Sequence, residues 1–174
     1  MTQTKNDLAS QADKNTSYAQ SLTDNQATSD YLTITIADQI FGIPVLQVQD
    51  VLGDQKVTKI PMAPPEVAGA LNLRGRIVTA INVRKKLGLE VDDNFDHQMS
   101  VVVEHEGELF SLVIDEVGDV LTFEHENYEP TPATLDPLWK GVSQGIYRMD
   151  NQLLVVLDVP KLLSTVHVDK EESI

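Results

Sequence analysis

"GALNLRGRIVTAINVRKKL" (69–87) and "GIYRMDNQLLVVLDVPKLL" (145–163) stand 76 positions apart and follow one order: a hairpin, an aliphatic strand, then a short helix ending on Leu87 or Leu163. A shift of 69 likewise sets "IFGIPVLQVQDVLG" (40–53) on "LFSLVIDEVGDVLT" (109–122). It pairs Phe41 with Phe110, Val48 with Val117, and Asp50, Val51 and Leu52 with Asp119, Val120 and Leu121. The chain therefore reads as two copies of one β unit. Each copy is too small to bury a sufficient core alone, so the two are expected to pack on each other across an apolar seam.

Period-two alternation begins at Tyr31, where Leu32, Ile34 and Ile36 interleave with Tyr31, Thr33 and Thr35 as in a half-buried strand. Strand-like runs follow at "QDVL", "KVTKIP", "AGALNLR", "RIVTAIN", "MSVVVEH", "ELFSLVI", "DVLTF", "VSQGIYRM" and "QLLVVLD". Gly, Pro or charged breaks separate them, and helical periodicity is confined to "VRKKLG" and "VPKLLS". Many short strands with frequent turns indicate an all-β sandwich or barrel. Residues 1–29 are polar and too poor in apolar side chains to offset ordering entropy, so they read as a flexible tail. The globular part is placed at 30–165: a first unit at about 30–88, an acidic linker at 89–98 and a second unit at about 99–165, with a C-terminal tail at 166–174.

The net charge of -14 and pI near 4.5 disfavour nucleic acid and anionic membrane as partners. With 5% aromatic residues there is little to stack bases on. No cysteine is present, which fits a reducing cytoplasm, and no apolar run is long enough to insert in a bilayer. Charge is also segregated. Residues 69–88 carry Arg74, Arg76, Arg84, Lys85 and Lys86 without a carboxylate, whereas fourteen acids and no Lys or Arg lie between Lys86 and Lys140. Such an asymmetric field orients encounters with protein partners.

Within "LNLRGRIV" the Arg74-Gly75 pair reads as a turn, with Leu71 and Leu73 on one strand face and Asn72 and Arg74 on the other. The pair is either a solvated hairpin tip or a recognition pair, since Asn72 offers donor and acceptor and Arg74 a planar fork for a carboxylate or carbonyl. Arg84, Lys85 and Lys86 suit the C-terminal turn of a helix before Gly88. Glu104, Glu106 and Glu108 suit an exposed strand and its turn. His97, His105, His125 and His167 have no metal-ligand spacing, and no nucleotide or nucleophile motif occurs. Neither metal nor cofactor is expected. A hydrolase using paired carboxylates is the alternative from another class, although nothing singles out one pair.

The blocks "FGIPVLQVQDVL", "IPMAPPEVAGALNLRGRIVTAINVRKKLGL", "LVIDEVGDVLTF" and "LWKGVSQGIYRMDNQLLVVLDVPKLL", in that order from Tyr31 to Ser164, resemble the CheW family of bacterial chemotaxis coupling proteins. The resemblance implies two SH3-like five-stranded β-barrels over a shared hydrophobic core, with short helices. It implies a non-enzymatic adaptor joining the cytoplasmic tip of methyl-accepting chemoreceptors to the histidine kinase CheA through the kinase's own CheW-like regulatory domain. Such a protein is cytoplasmic, recruited to membrane-bound receptor arrays, and a monomer in isolation. By position, the receptor-facing set would be Val48, Asp50, Gly69, Asn72, Arg74, Ser100 and Val101, with Val48 and Val101 as an apolar floor and Val51 as the kinase contact. Asn82 stands where the family has an acid, and its counterpart in the second unit is Asp158. That loss is expected to leave Arg74 and Arg84 less neutralised. The acidic second unit and long tail leave open a non-flagellar chemosensory pathway.

Overall fold

The computed structural model describes residues 27–91 and 98–164. Eleven strands and three short α-helices are formed there. The first half holds β1 (Thr28–Ile36), β2 (Gln39–Pro44), β3 (Val48–Leu52), β4 (Val67–Leu73), β5 (Arg76–Asn82) and α1 (Val83–Lys86). The second holds β6 (Met99–His105), β7 (Glu108–Ile114), β8 (Glu116–Glu124), β9 (Tyr128–Glu129), α2 (Pro137–Lys140), β10 (Ser143–Arg148), β11 (Leu153–Leu157) and α3 (Val159–Ser164).

Two sheets result, one of six strands in the order β8-β1-β2-β11-β10-β9 and one of five in the order β3-β6-β7-β5-β4. The duplication is visible in every ladder. Antiparallel β1-β2 matches β6-β7, β1-β8 matches β6-β3, β10-β11 matches β4-β5, and the parallel pair β2-β11 matches β7-β5. Even the irregularities repeat. The register slips between Val67 and Gly69 and, 76 residues later, between Ser143 and Gly145; β3 and β8 each carry one extra residue against their partners.

The units are therefore exchanged rather than placed side by side. β1 and β2 leave the first half to pair with β8 and β11, while β6 and β7 leave the second half to pair with β3 and β5. The expected division at 88 and 99 does not divide the sheets, because long-range parallel pairing joins Ile40 to Leu154 and Thr79 to Phe110. The expected tail of 1–29 is shortened as well. Thr28 and Ser29 already lie in register with Glu124 and Phe123, and the ladder satisfies their backbone groups. Residues 1–26, 92–97 of the linker and 165–174 lie outside the described residues.

One large core lies between the sheets and holds Leu32, Ile34, Ile36, Phe41 and Ile43 from one side and Ile81, Val101, Val103 and Leu112 from the other. Val83 and Leu87, and their counterparts Val159 and Leu163, close its ends from α1 and α3. Each sheet also folds around a smaller cluster on its outer face: Tyr31, Tyr147, Leu154 and Val156 in one, Leu71, Val78, Ala80 and Val113 in the other. Curling is evident from contacts between distant strands, with Phe123 of β8 stacked on Tyr147 of β10 at 4.6 Å. Thus two curled sheets over a shared core are present, with six and five strands in place of five and five.

Candidate docking surface

The turn between β4 and β5 is a two-residue loop with positive φ at both positions, 52° at Arg74 and 84° at Gly75. That geometry follows the twist of the flanking strands. Gly75 adopts it freely, whereas Arg74 carries a cost of about 1–2 kcal/mol for a side chain in the left-handed region. Asn72 closes the turn, its Oδ1 accepting the Gly75 N–H at 2.9 Å. Arg74 Nη2 donates to Asp50 Oδ2 of β3 at 3.0 Å, although the arginine side chain remains 82% exposed. An exposed pair of this kind contributes about 0–1 kcal/mol, so Asp50 aims the fork without sequestering it. Beside it, Ile77 of β5 lies opposite Asn72 and is 74% exposed. Nothing in "RIVTAIN" separates Ile77 from the buried Val78 and Ile81; its register opposite the exposed Asn72 is what turns it outward.

β3 is the edge of its sheet, and the extra residue near Gln49 lets Val48 and Val51 face the same side. Val48 is half-buried against the shared core, and Val51 is 39% exposed. The second unit repeats the arrangement on edge strand β8, where Val117 packs on the core and Val120 is 53% exposed.

Of the family-derived set, the structure brings Asp50, Asn72 and Arg74 together at an open rim, with Val48 on the same strand as Asp50. The other three are buried. Val101 is wholly inside the shared core, on a central strand flanked by β3 and β7, so it supports β3 from beneath and is no exposed floor. Ser100 is buried on the same strand. Gly69 is buried where the Thr58 backbone crosses β4; a Cβ there would lie 2.2 Å from the Thr58 carbonyl oxygen, at a φ of 149°. Its counterpart Gly145 makes the same allowance for Tyr128 and Glu129. These residues bear on the surface by shaping it.

The predicted under-neutralisation of the arginines is not found. Arg84 makes a two-pronged pair with Asp115, at 2.7 Å from Nε and 2.6 Å from Nη2, and the same carboxylate accepts the Ala37 N–H at 2.8 Å. Burial alone would raise the Asp115 pKa, but the Arg84 fork and the Ala37 N–H outweigh it and hold the group below its ordinary range. Asp115 sits where the chain crosses from β7 to β8, so the pair fastens α1 to the crossover between sheets. Asn82 takes the capping role of the missing acid, accepting the Lys85 N–H as Asp158 accepts that of Lys161.

Among the described residues no group of three or more His, Asp or Glu is placed to hold a metal ion. The buried polar residues among them are Thr33, Asn82, Ser100, Ser111 and Ser143, none an acid, so no enclosed carboxylate pair supports the hydrolase reading. No described helix is long and apolar enough to cross a membrane.

Residues 30–167 match the family model for the CheW-like domain. The chain is 31% identical over 137 residues to the chemotaxis protein CheW of Klebsiella aerogenes, covering 78% of this chain and 82% of that one. It is 26% identical over 140 residues to the probable chemotaxis protein CheW of Rhizobium etli, covering 80% and 90%. Among solved structures, the scaffolding protein TtCheW from Thermoanaerobacter tengcongensis aligns with a TM-score of 0.70 at 26% identity, over 78% of this chain and 92% of that chain.

Proposed function

Because the chain belongs to the CheW-like domain family, we propose that it is a non-enzymatic adaptor that couples the cytoplasmic tips of chemoreceptors to the histidine kinase CheA. The observation that carries this reading is the open rim around Arg74: a guanidinium pre-aimed by Asp50, beside Asn72 and the outward Ile77, next to an unpaired strand edge bearing Val48. A helical hairpin presents what such a rim takes, an apolar stripe for the valine and isoleucine and a carboxylate or carbonyl for the fork. Val51, further out on the same edge, is the proposed kinase contact, engaging the kinase's own CheW-like domain. Coupling then needs no chemistry. Two weak contacts on one rigid body raise the effective concentration of one partner at the other, at receptor arrays on the cytoplasmic face of the membrane.

Co-sedimentation of the full chain with receptor fragments and kinase, together and separately, tests the reading. The adaptor binds each partner alone and increases the kinase carried down with receptor. Binding to neither, or turnover of ester, glycoside or phosphate substrates, contradicts it.

A further inference from the structure

The duplication leaves two equivalent lips, and they differ in charge at the equivalent turn. Arg74-Gly75 links β4 to β5 with Leu73 paired to Arg76; 76 residues on, Met149–Gln152 links β10 to β11 around Asp150 and Asn151, with the Met149 N–H bonded to the Gln152 carbonyl at 2.8 Å and positive φ at neither central residue. Arg74 is thus matched by Asp150, Arg76 by Gln152 and Asp50 by Asp119, while Val48 is matched by Val117. Arg74, Arg76, Asp119, Asp150 and Gln152 are all exposed. At the second turn Arg148 replaces Asn72, but Glu129 holds it at 2.6 Å, so the Asp150 carboxylate sets the sign there. One lip is cationic at its turn and its counterpart anionic, over apolar edges of the same form.

We propose that this charge reversal fixes the orientation in which the chain takes a partner made of two antiparallel helices. Such a hairpin has an approximate two-fold axis of its own, so a surface doubled about a similar axis offers it two poses half a turn apart. Apolar contacts to Val48 and Val117 are alike in both. Opposite charges at the turns are not: for a hairpin with one acidic and one basic flank, the partner these turns select, one pose sets the acidic flank against Arg74 and the basic flank against Asp150, and the other juxtaposes like charges. The proposal rests on the receptor-docking reading above and adds polarity to it.

The test uses the full chain and a receptor-tip hairpin fragment with a photo-crosslinking side chain on one helix, the adducts being mapped by mass spectrometry. With the wild-type chain, adducts fall on residues 45–50 or on 114–119, not both. Asp150→Arg and Arg74→Asp each leave one like-charge contact in either pose, so each weakens binding about tenfold and divides the adducts between the lips. The double variant Arg74→Asp, Asp150→Arg recovers affinity and moves the adducts to the opposite lip. Both positions lie on exposed turns, and an unchanged thermal transition confirms that folding is intact. Adducts that stay on one lip in both Asp150→Arg chains, or a double variant no better than Arg74→Asp, overturn the proposal and leave the docking reading standing. A wild-type chain that does not bind the hairpin overturns both.

Discussion

Arg84 and Asp115 show how a charged pair can be structural in a protein whose Arg74 pair is left open to solvent. Their side chains are 21% and 16% exposed, and each makes a bond beyond the pair, Arg84 to the Glu90 carbonyl and Asp115 to the Ala37 N–H. Asp115→Asn should cost about 2 kcal/mol at neutral pH, since hydrogen bonds to charged groups contribute about 1.5–3 kcal/mol. The depressed folded-state pKa also sets the sign with pH: the stabilisation is complete above the unfolded value of 3.8 and is lost as pH falls through the lower folded value. Urea titrations of both chains should therefore differ at pH 7 and converge in strong acid. Gly69 makes the companion case. Gly69→Ala drives a methyl into the Thr58 carbonyl and should destabilise by more than about 1 kcal/mol. Any binding defect in that variant should scale with its lost stability, whereas one at the exposed Arg74 should not. Position in a family motif marked both glycine and arginine; only the backbone crossing at Thr58 separates their roles.

Strands were legible and their partners were not. Alternation at Leu32, Ile34 and Ile36 marks β1, and the Arg74-Gly75 turn is plain from the glycine. "KVTKIP" reads as a strand on β-branched content, yet only Thr58 forms a bridge, to Ala70, because the following Pro61, Pro64 and Pro65 cannot donate to a ladder. α2 is hidden in a segment broken by Pro130, Pro132 and Pro137, although its Asp136 cap and Pro137 are ordinary start signals. The start of β1 was misplaced because Thr28, Ser29 and Asp30 are polar and alternate with nothing; they are held by pairing with β8 and by the Thr122 hydroxyl donating to Asp30 Oδ1 at 2.5 Å. A chain beginning at Tyr31 should consequently melt about 2–8 °C below one beginning at Ala27, read by circular dichroism.

At the scale of the molecule, the repeats recovered from sequence are genuine, but each donates a hairpin to the other's sheet, which no local pattern records. Neither half holds a complete sheet. Fragments 27–91 and 98–164 should each lack a cooperative transition, and mixing them should restore β-sheet signal at about the full chain's melting temperature if the exchange forms between chains. Independent folding of either fragment would refute reciprocal pairing. Charge segregation belongs to this scale too, and with receptor fragments the association rate should fall as salt rises, since a charged rim steers encounters over about 10 Å.

The adaptor reading stands most directly on kinase recruitment by an Arg74→Glu chain. Its thermal transition should match that of the unaltered protein, because an exposed turn adds little to the core. In a pull-down on receptor-containing membranes, the account predicts that the amount of kinase retained falls to the level seen without adaptor. Retention equal to that with the unaltered chain would contradict it.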